Sequence, residues 1–150
     1  MTRATLDLEH FLPYRLSVIS NHISQTIADI YQERFGLSVT EWRVLAVLGR
    51  YPGLSANGVA QRTAMDKVAV SRAVARLLTT ALIERDTHDS DRRRSVLRLS
   101  REGDRIYDQV VPLALAYARD LLATLDAQER ATLDHLLTRL DQASRPASTE

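Results

Sequence analysis

A mainly helical fold with one small β-hairpin is what this sequence predicts, on three observations. Alanine and leucine abound while aromatic residues make up only 5% of the chain, a bias toward strong helix formers. Apolar residues recur at spacings of three and four over several segments, most of them opened by a capping residue. The helical period lapses once, where the short runs "LIER" and "SVLRLS" flank the polar stretch "DTHDSDRRR".

The first long segment is "PYRLSVISNHISQTIADIYQERF", in which Leu12, Leu16, Ile19, Ile23, Ile27 and Ile30 form one apolar stripe, with Pro13 at the start and Gly36 at the end. Ser38 and Glu41 then make a capping-box pattern before "TEWRVLAVLGR", which ends at Pro52 and Gly53. Ser55 opens a short helix, "ANGVAQR". After the turn Thr63, Ala64 and Met65, Asp66 is placed to accept from the free N–H groups of "KVAVSRAVARLLT". Two short helices across a tight turn read as a helix-turn-helix. The hairpin follows as a wing. Ser100 caps another long helix, running to about Leu125 with Pro112 as an expected kink. Asp126 and Glu129 repeat the capping pattern ahead of Leu133, Leu136, Leu137 and Leu140.

A chain of 150 residues, 45% apolar and 26% charged, fits a single domain spanning 1–150, with residues 144–150 as a disordered tail. It has no cysteine, which excludes disulfides and thiolate chemistry. No apolar run approaches the roughly 18 residues of a membrane span, and "MTRATLDLEH" does not read as a signal peptide. The expectation is a cytoplasmic protein with no membrane partner. His10, His22, His88 and His135 lie on different elements, with no glycine-rich phosphate loop and no His-Glu-x-x-His pattern. No catalytic site, metal site or cofactor is expected.

The formal charge of +1 conceals an uneven distribution. Residues 62–101 carry ten basic and five acidic side chains, so a basic middle separates acidic ends. At 100° per residue, Val70, Val74 and Leu77 fall on one side of the segment 67–79, with Ala73 and Leu78 at its margins. Val68, Ala69, Arg72 and Arg76 fall opposite. Two arginines one turn apart beside small apolar groups suit a DNA major groove, where arginine bonds guanine and methyl groups meet thymine. An ordinary solvated face would also carry two charges. Lys67, the only lysine among twenty basic residues, lies at the helix start, where phosphate contact is favoured over base reading. In the wing, Arg92, Arg93 and Arg94 follow Asp89 and Asp91. One arginine can brace the loop while a neighbour enters a minor groove.

These segments together resemble the multiple antibiotic resistance regulator (MarR) family. The resemblance runs from about Leu12 to Leu140 through "LSVTEWRVLAVL", "LSANGVAQRTAMDKVAVSRAVARLL" and "LIERDTHDSDRRRSVLRLSREG". Its most specific part is "DKVAVSR" followed about twenty residues later by "DRRRSVLRLSREG". It implies a winged helix-turn-helix domain at 38–100, flanked by dimerisation helices at 12–35 and 101–143. It further implies a homodimer that binds a palindromic double-stranded DNA operator, usually as a repressor, and releases it when a small phenolic or carboxylate ligand binds. By that match Arg72 is the base reader, supported by Lys67, Ser71 and Arg76. Asp91 with Arg93 is the bracing pair, and Arg92 or Arg94 the wing-tip arginine. Ser55, at the start of the preceding helix, joins the DNA-binding set. The family often has small hydroxylated residues where this chain has Val68 and Ala69, which shifts the expectation there to thymine-methyl contact. It usually has glycine where this chain has Ala81.

A ligand site is expected near the first helix. Arg15 and His22 are seven residues apart and differ by about 20° around the axis. With Trp42 and Arg43 they form a candidate pocket for an aromatic acid or its acyl-CoA thioester. The competing reading makes Arg15 and Arg43 interhelical salt-bridge residues, His22 a surface histidine and Trp42 part of the core. A winged-helix module that binds protein without a small-molecule ligand is the alternative function.

Overall fold

The computed structural model describes residues 3–86 and 95–147. After a single 3-10 turn at Leu8–His10, the elements run α1 (Leu12–Phe35), α2 (Val39–Arg50), α3 (Ala56–Thr63), α4 (Lys67–Thr79), β1 (Ile83–Asp86), β2 (Val96–Leu99), α5 (Arg101–Leu122) and α6 (Ala127–Ser144). The mainly helical fold with one hairpin is as the period analysis expects. The chain divides into two compact units, Met1–Leu113 and Ala114–Glu150.

In the first unit, the core is built from one face of each helix in turn. Ala28 and Tyr31 of α1, Val44, Leu45 and Leu48 of α2, and Val59 and Ala60 of α3 are buried together with Val70, Ala73, Val74 and Leu77 of α4. Leu37, Leu82, Ile83, Leu97, Ile106 and Val110 complete the cluster. Ala73, placed by the period at the margin of the α4 face, is fully part of it.

Local chemistry sets the helix boundaries. Gly36 ends α1 at φ 64 and donates its N–H to the Gln32 carbonyl, a left-handed termination that glycine adopts without steric cost. Ser38 accepts from the Glu41 N–H at 3.1 Å, Ser55 from Gly58 at 3.0 Å and Asp66 from Ala69 at 3.0 Å. The expected capping box at Ser38 is only half present, because the buried Glu41 side chain is directed to Arg76 instead.

β1 and β2 pair antiparallel, with Ile83 opposite Leu99 and Asp86 opposite Val96. Leu54 adds a bridge to Leu97, held by Leu97 N–H to the Leu54 carbonyl at 2.8 Å and Gly53 N–H to the Leu97 carbonyl at 3.0 Å. The connection between α2 and α3 thus supplies a third short edge to the wing, which the sequence patterning does not reveal. Arg98 braces the hairpin against Glu84 at 3.1 Å and Asp86 at 3.7 Å across the two strands.

α4 leaves through Ala81, which is left-handed at φ 60. The backbone there is the conformation anticipated for a family glycine, now carried by an alanine. The Ser100 hydroxyl donates to the Ala81 carbonyl at 2.7 Å and accepts from Gly103 N–H at 3.0 Å. Ser100 N–H in turn donates to the Leu82 carbonyl at 3.0 Å. A Cβ on Gly103 would land on that same Leu82 carbonyl oxygen, so the start of α5 approaches the exit of α4 as closely as backbone permits.

α5 begins in the first unit and runs as one helix through Pro112 to Leu122 in the second. Arg130 caps its end, with Nε donating to the Leu122 carbonyl at 2.9 Å and the Leu125 carbonyl at 3.1 Å. Both halves of the Asp126 and Glu129 capping box are formed. α6 includes Ser144, the first residue of the expected tail.

Two substitutions at this junction should move stability in opposite directions. Gly103→Ala should cost about 1–3 kcal/mol by overpacking against backbone. Ala81→Gly should gain about 1 kcal/mol by removing left-handed strain. Chemical denaturation of each variant checks both. Loss of stability on Ala81→Gly would contradict the strain at that position.

Candidate nucleic-acid interface

The surface of α4 is defined by what its opposite side buries. With Val70, Ala73, Val74 and Leu77 committed to the core, the outward apex consists of Val68, Arg72 and Ala75, with Lys67 and Ser71 beside them. These five residues line a shallow groove along the helix. Val68 is 56% exposed, unusual for a valine in a helix that has an apolar core available on its other side. Lys67 and Arg72 have no carboxylate partner among the described residues. The groove therefore offers a guanidinium, an ammonium, a hydroxyl and two apolar side chains, with no neutralising carboxylate among the described residues.

Ala69 and Arg76 stand differently from the sequence expectation. Ala69 is half-buried at the margin of this face, and its N–H is engaged by Asp66. Ala75 takes the central place, and the signal was present in the spacing, since Ala75 is seven residues beyond Val68. Arg76 is also marginal. Its Nε lies 3.7 Å from Glu41 Oε1, with the arginine side chain 66% exposed and the glutamate side chain 7%. Nothing in the local sequence points to Glu41 as its partner, because the two are 35 positions apart and on different helices.

Ser55 is half-buried, and its hydroxyl oxygen accepts from Gly58 N–H as the cap of α3. Asp91, Arg92, Arg93 and Arg94 lie outside the described residues. Two further cations were not anticipated. The Arg62 guanidinium stacks 3.6 Å from the Tyr51 ring centroid and that of Arg50 lies 4.8 Å away, arrangements in which the ring face attracts the cation.

The expected ligand residues divide into two groups. Arg15 and His22 are exposed on α1. Trp42 is half-buried, stacked on Tyr31 with centroids 5.6 Å apart and tilted against Tyr107 at 6.3 Å. Arg43 donates from Nη2 to the Ser24 hydroxyl at 2.9 Å, which joins α2 to α1 by a hydrogen bond and not by the salt bridge of the competing reading. Burial pushes the Tyr31 phenol above its ordinary pKa, an effect that the Arg43 charge partly offsets.

Comparison with known proteins agrees with this architecture. A model of the MarR family matches residues 35–94. A putative transcriptional regulatory protein for an hcr operon in Thauera aromatica is 31% identical over 105 residues, covering 70% of this chain and 63% of that protein. The crystal structure of a MarR/EmrR family transcriptional regulator from Acinetobacter sp. ADP1 superposes with TM-score 0.84 at 25% identity, covering 92% of this chain and 97% of the other. A probable transcriptional regulator from Pseudomonas aeruginosa is 31% identical with TM-score 0.67, covering 87% and 99%. A mutant MarR from E. coli, solved with operator DNA, shares the fold at TM-score 0.75 and 22% identity, covering 91% and 99%. With its winged helix-turn-helix and these relatives, the chain belongs to the MarR family of DNA-binding transcriptional regulators.

Proposed function

We propose that this protein is a homodimeric repressor that sets α4 into the major groove of a palindromic operator and lets go when an aromatic carboxylate or its thioester binds. The observation that carries the DNA-reading part is the exposed face of α4, where Arg72 lacks an internal ion-pair partner among the described residues and Val68 and Ala75 lie beside it. Arginine reads guanine bidentately and small apolar groups meet thymine methyls. Lys67, at the amino-terminal turn, and Ser71 are placed for phosphate. Asp91, Arg92, Arg93 and Arg94 are assigned to the wing contact, with Arg92 or Arg94 at its tip.

Arg72→Ala should weaken specific binding by roughly 1–3 kcal/mol and relax preference at one base pair per half-site. Lys67→Ala should weaken binding to all duplexes and reduce the dependence on salt. Gel shifts at several salt concentrations, with a library of single-base operator variants, separate the two. Identical base preferences in both mutants would remove Arg72 from the groove.

Dimerisation is supported by apolar surface within each unit. Leu12, Leu16 and Ile19 of α1 are exposed, and so are Leu133, Leu136, Leu137 and Leu140 of α6. Such stripes are normally covered by a two-fold partner. Sedimentation should show a dimer at micromolar concentration, and a stable monomer there would contradict the assignment.

The effector reading rests on Arg15 and His22, exposed about 20° apart on one side of α1, and on the half-buried Trp42. Arg15→Ala should abolish release from DNA by benzoates, cinnamates or their thioesters while repression persists. A compound that releases the wild type and Arg15→Ala equally would eliminate Arg15 as the carboxylate anchor.

A further inference from the structure

The position of Arg76 presents a choice that its sequence does not resolve. It lies one turn beyond Arg72, about 6 Å along α4, where a phosphate contact would be the ordinary reading. Its guanidinium instead faces Glu41, whose carboxylate is almost wholly covered at the amino-terminal turn of α2. Glu41 does not use that carboxylate for capping, since Ser38 receives only its backbone N–H. A carboxylate covered in this way requires a compensating charge. Among the described residues, Arg76 is its ion-pair partner.

The rest of the contact between α4 and the core is apolar. Valine, alanine and leucine packing holds a helix close, but dispersion and burial are non-directional and leave small rotations inexpensive. A charge pair at the margin of the helix, off the line of buried residues, is sensitive to such rotation. Arg72 projects from the same helix one turn away, so its aim depends on the same angle.

We propose that Arg76 is a positioning residue, locked to Glu41 of α2, that fixes the rotation of α4 and thereby the aim of Arg72, and is not itself a phosphate contact. This inference rests on the reading that α4 enters the groove. It assigns a role in DNA discrimination to Glu41, an acidic residue that never meets DNA.

The test is a double-mutant cycle with Glu41→Gln, Arg76→Gln and the double variant, with binding measured across salt concentrations. The probes are a duplex selected from random oligonucleotides by the wild type and an unrelated duplex. Each single variant should lose on the order of tenfold in affinity for the selected duplex. Binding to the unrelated duplex and the salt slope should stay as in wild type, and the double variant should lose no more than either single one. A phosphate role would instead lower the slope by about one in Arg76→Gln and weaken both duplexes alike, with Glu41→Gln silent. That outcome overturns the proposal. So does loss of unrelated-duplex binding in Glu41→Gln, which would make the pair a folding element only. Arg72→Ala is run in parallel. If it keeps wild-type base preferences while the pair variants lose specificity, the groove placement of Arg72 fails separately from the coupling of Glu41 to Arg76.

Discussion

The site depends on one constraint: α4 must bury a single side completely. Val70, Ala73, Val74 and Leu77 are each at most 5% exposed, and truncating one such leucine typically costs about 2–5 kcal/mol. A rotation large enough to expose one of these residues is therefore costly, even where smaller ones are not, and the line opposite them is presented to solvent by necessity. Exposure of Val68 and Arg72 is the geometric complement of burying Val70 and Leu77. The Asp66 cap fixes where the helix begins, so the position of Lys67 at its first turn follows from the same packing.

The wing and the start of α5 are tied to the exit of that helix by few atoms. Ser100 is among the two buried polar residues of the described chain, and its hydroxyl serves two backbone groups at once, one on each side of the hairpin. Gly103 allows the close approach that makes this possible. The opposite edge is secured by Gly53 and Leu54 on Leu97. The wing base is thus clamped at both ends, and to the backbone ladder of β1 and β2 the exposed Arg98 ion pairs add only about 0.2–1 kcal/mol each.

Much of this was legible in the sequence because the dominant signals are local. The caps at Ser38, Ser55, Asp66 and Asp126 and the break at Gly36 rest on contacts within four residues, and the period of α4 predicted its buried side. Ala81 was recognisable as a left-handed position by resemblance. What the sequence concealed is non-local. Glu41 matches a capping box in its spacing, yet its side chain is taken by a helix 35 positions later. The bridge from Leu54 to Leu97 joins segments that carry no shared pattern. Ala69 and Ala75 illustrate a smaller failure, in which a face drawn as a half-circle included a residue at its margin and omitted one at its centre. For the ligand candidates, spacing put Arg15 and His22 on one side of α1. It gave no means of seeing that Trp42 stacks on Tyr31 and packs tilted against Tyr107, because those rings come from three different helices.

The near exclusion of lysine gives the chain an uncommon chemical asymmetry. Guanidinium groups do not react with amine-directed acylating reagents under mild conditions, and Lys67 carries the sole side-chain amine. It is exposed at the first turn of α4, beside Val68 and Arg72. Side-chain acylation, enzymatic or synthetic, therefore falls on this one position, replacing a cation by a neutral amide on the surface assigned to DNA. The same uniqueness makes the ε-amine the one side-chain attachment point for an amine-directed fluorophore.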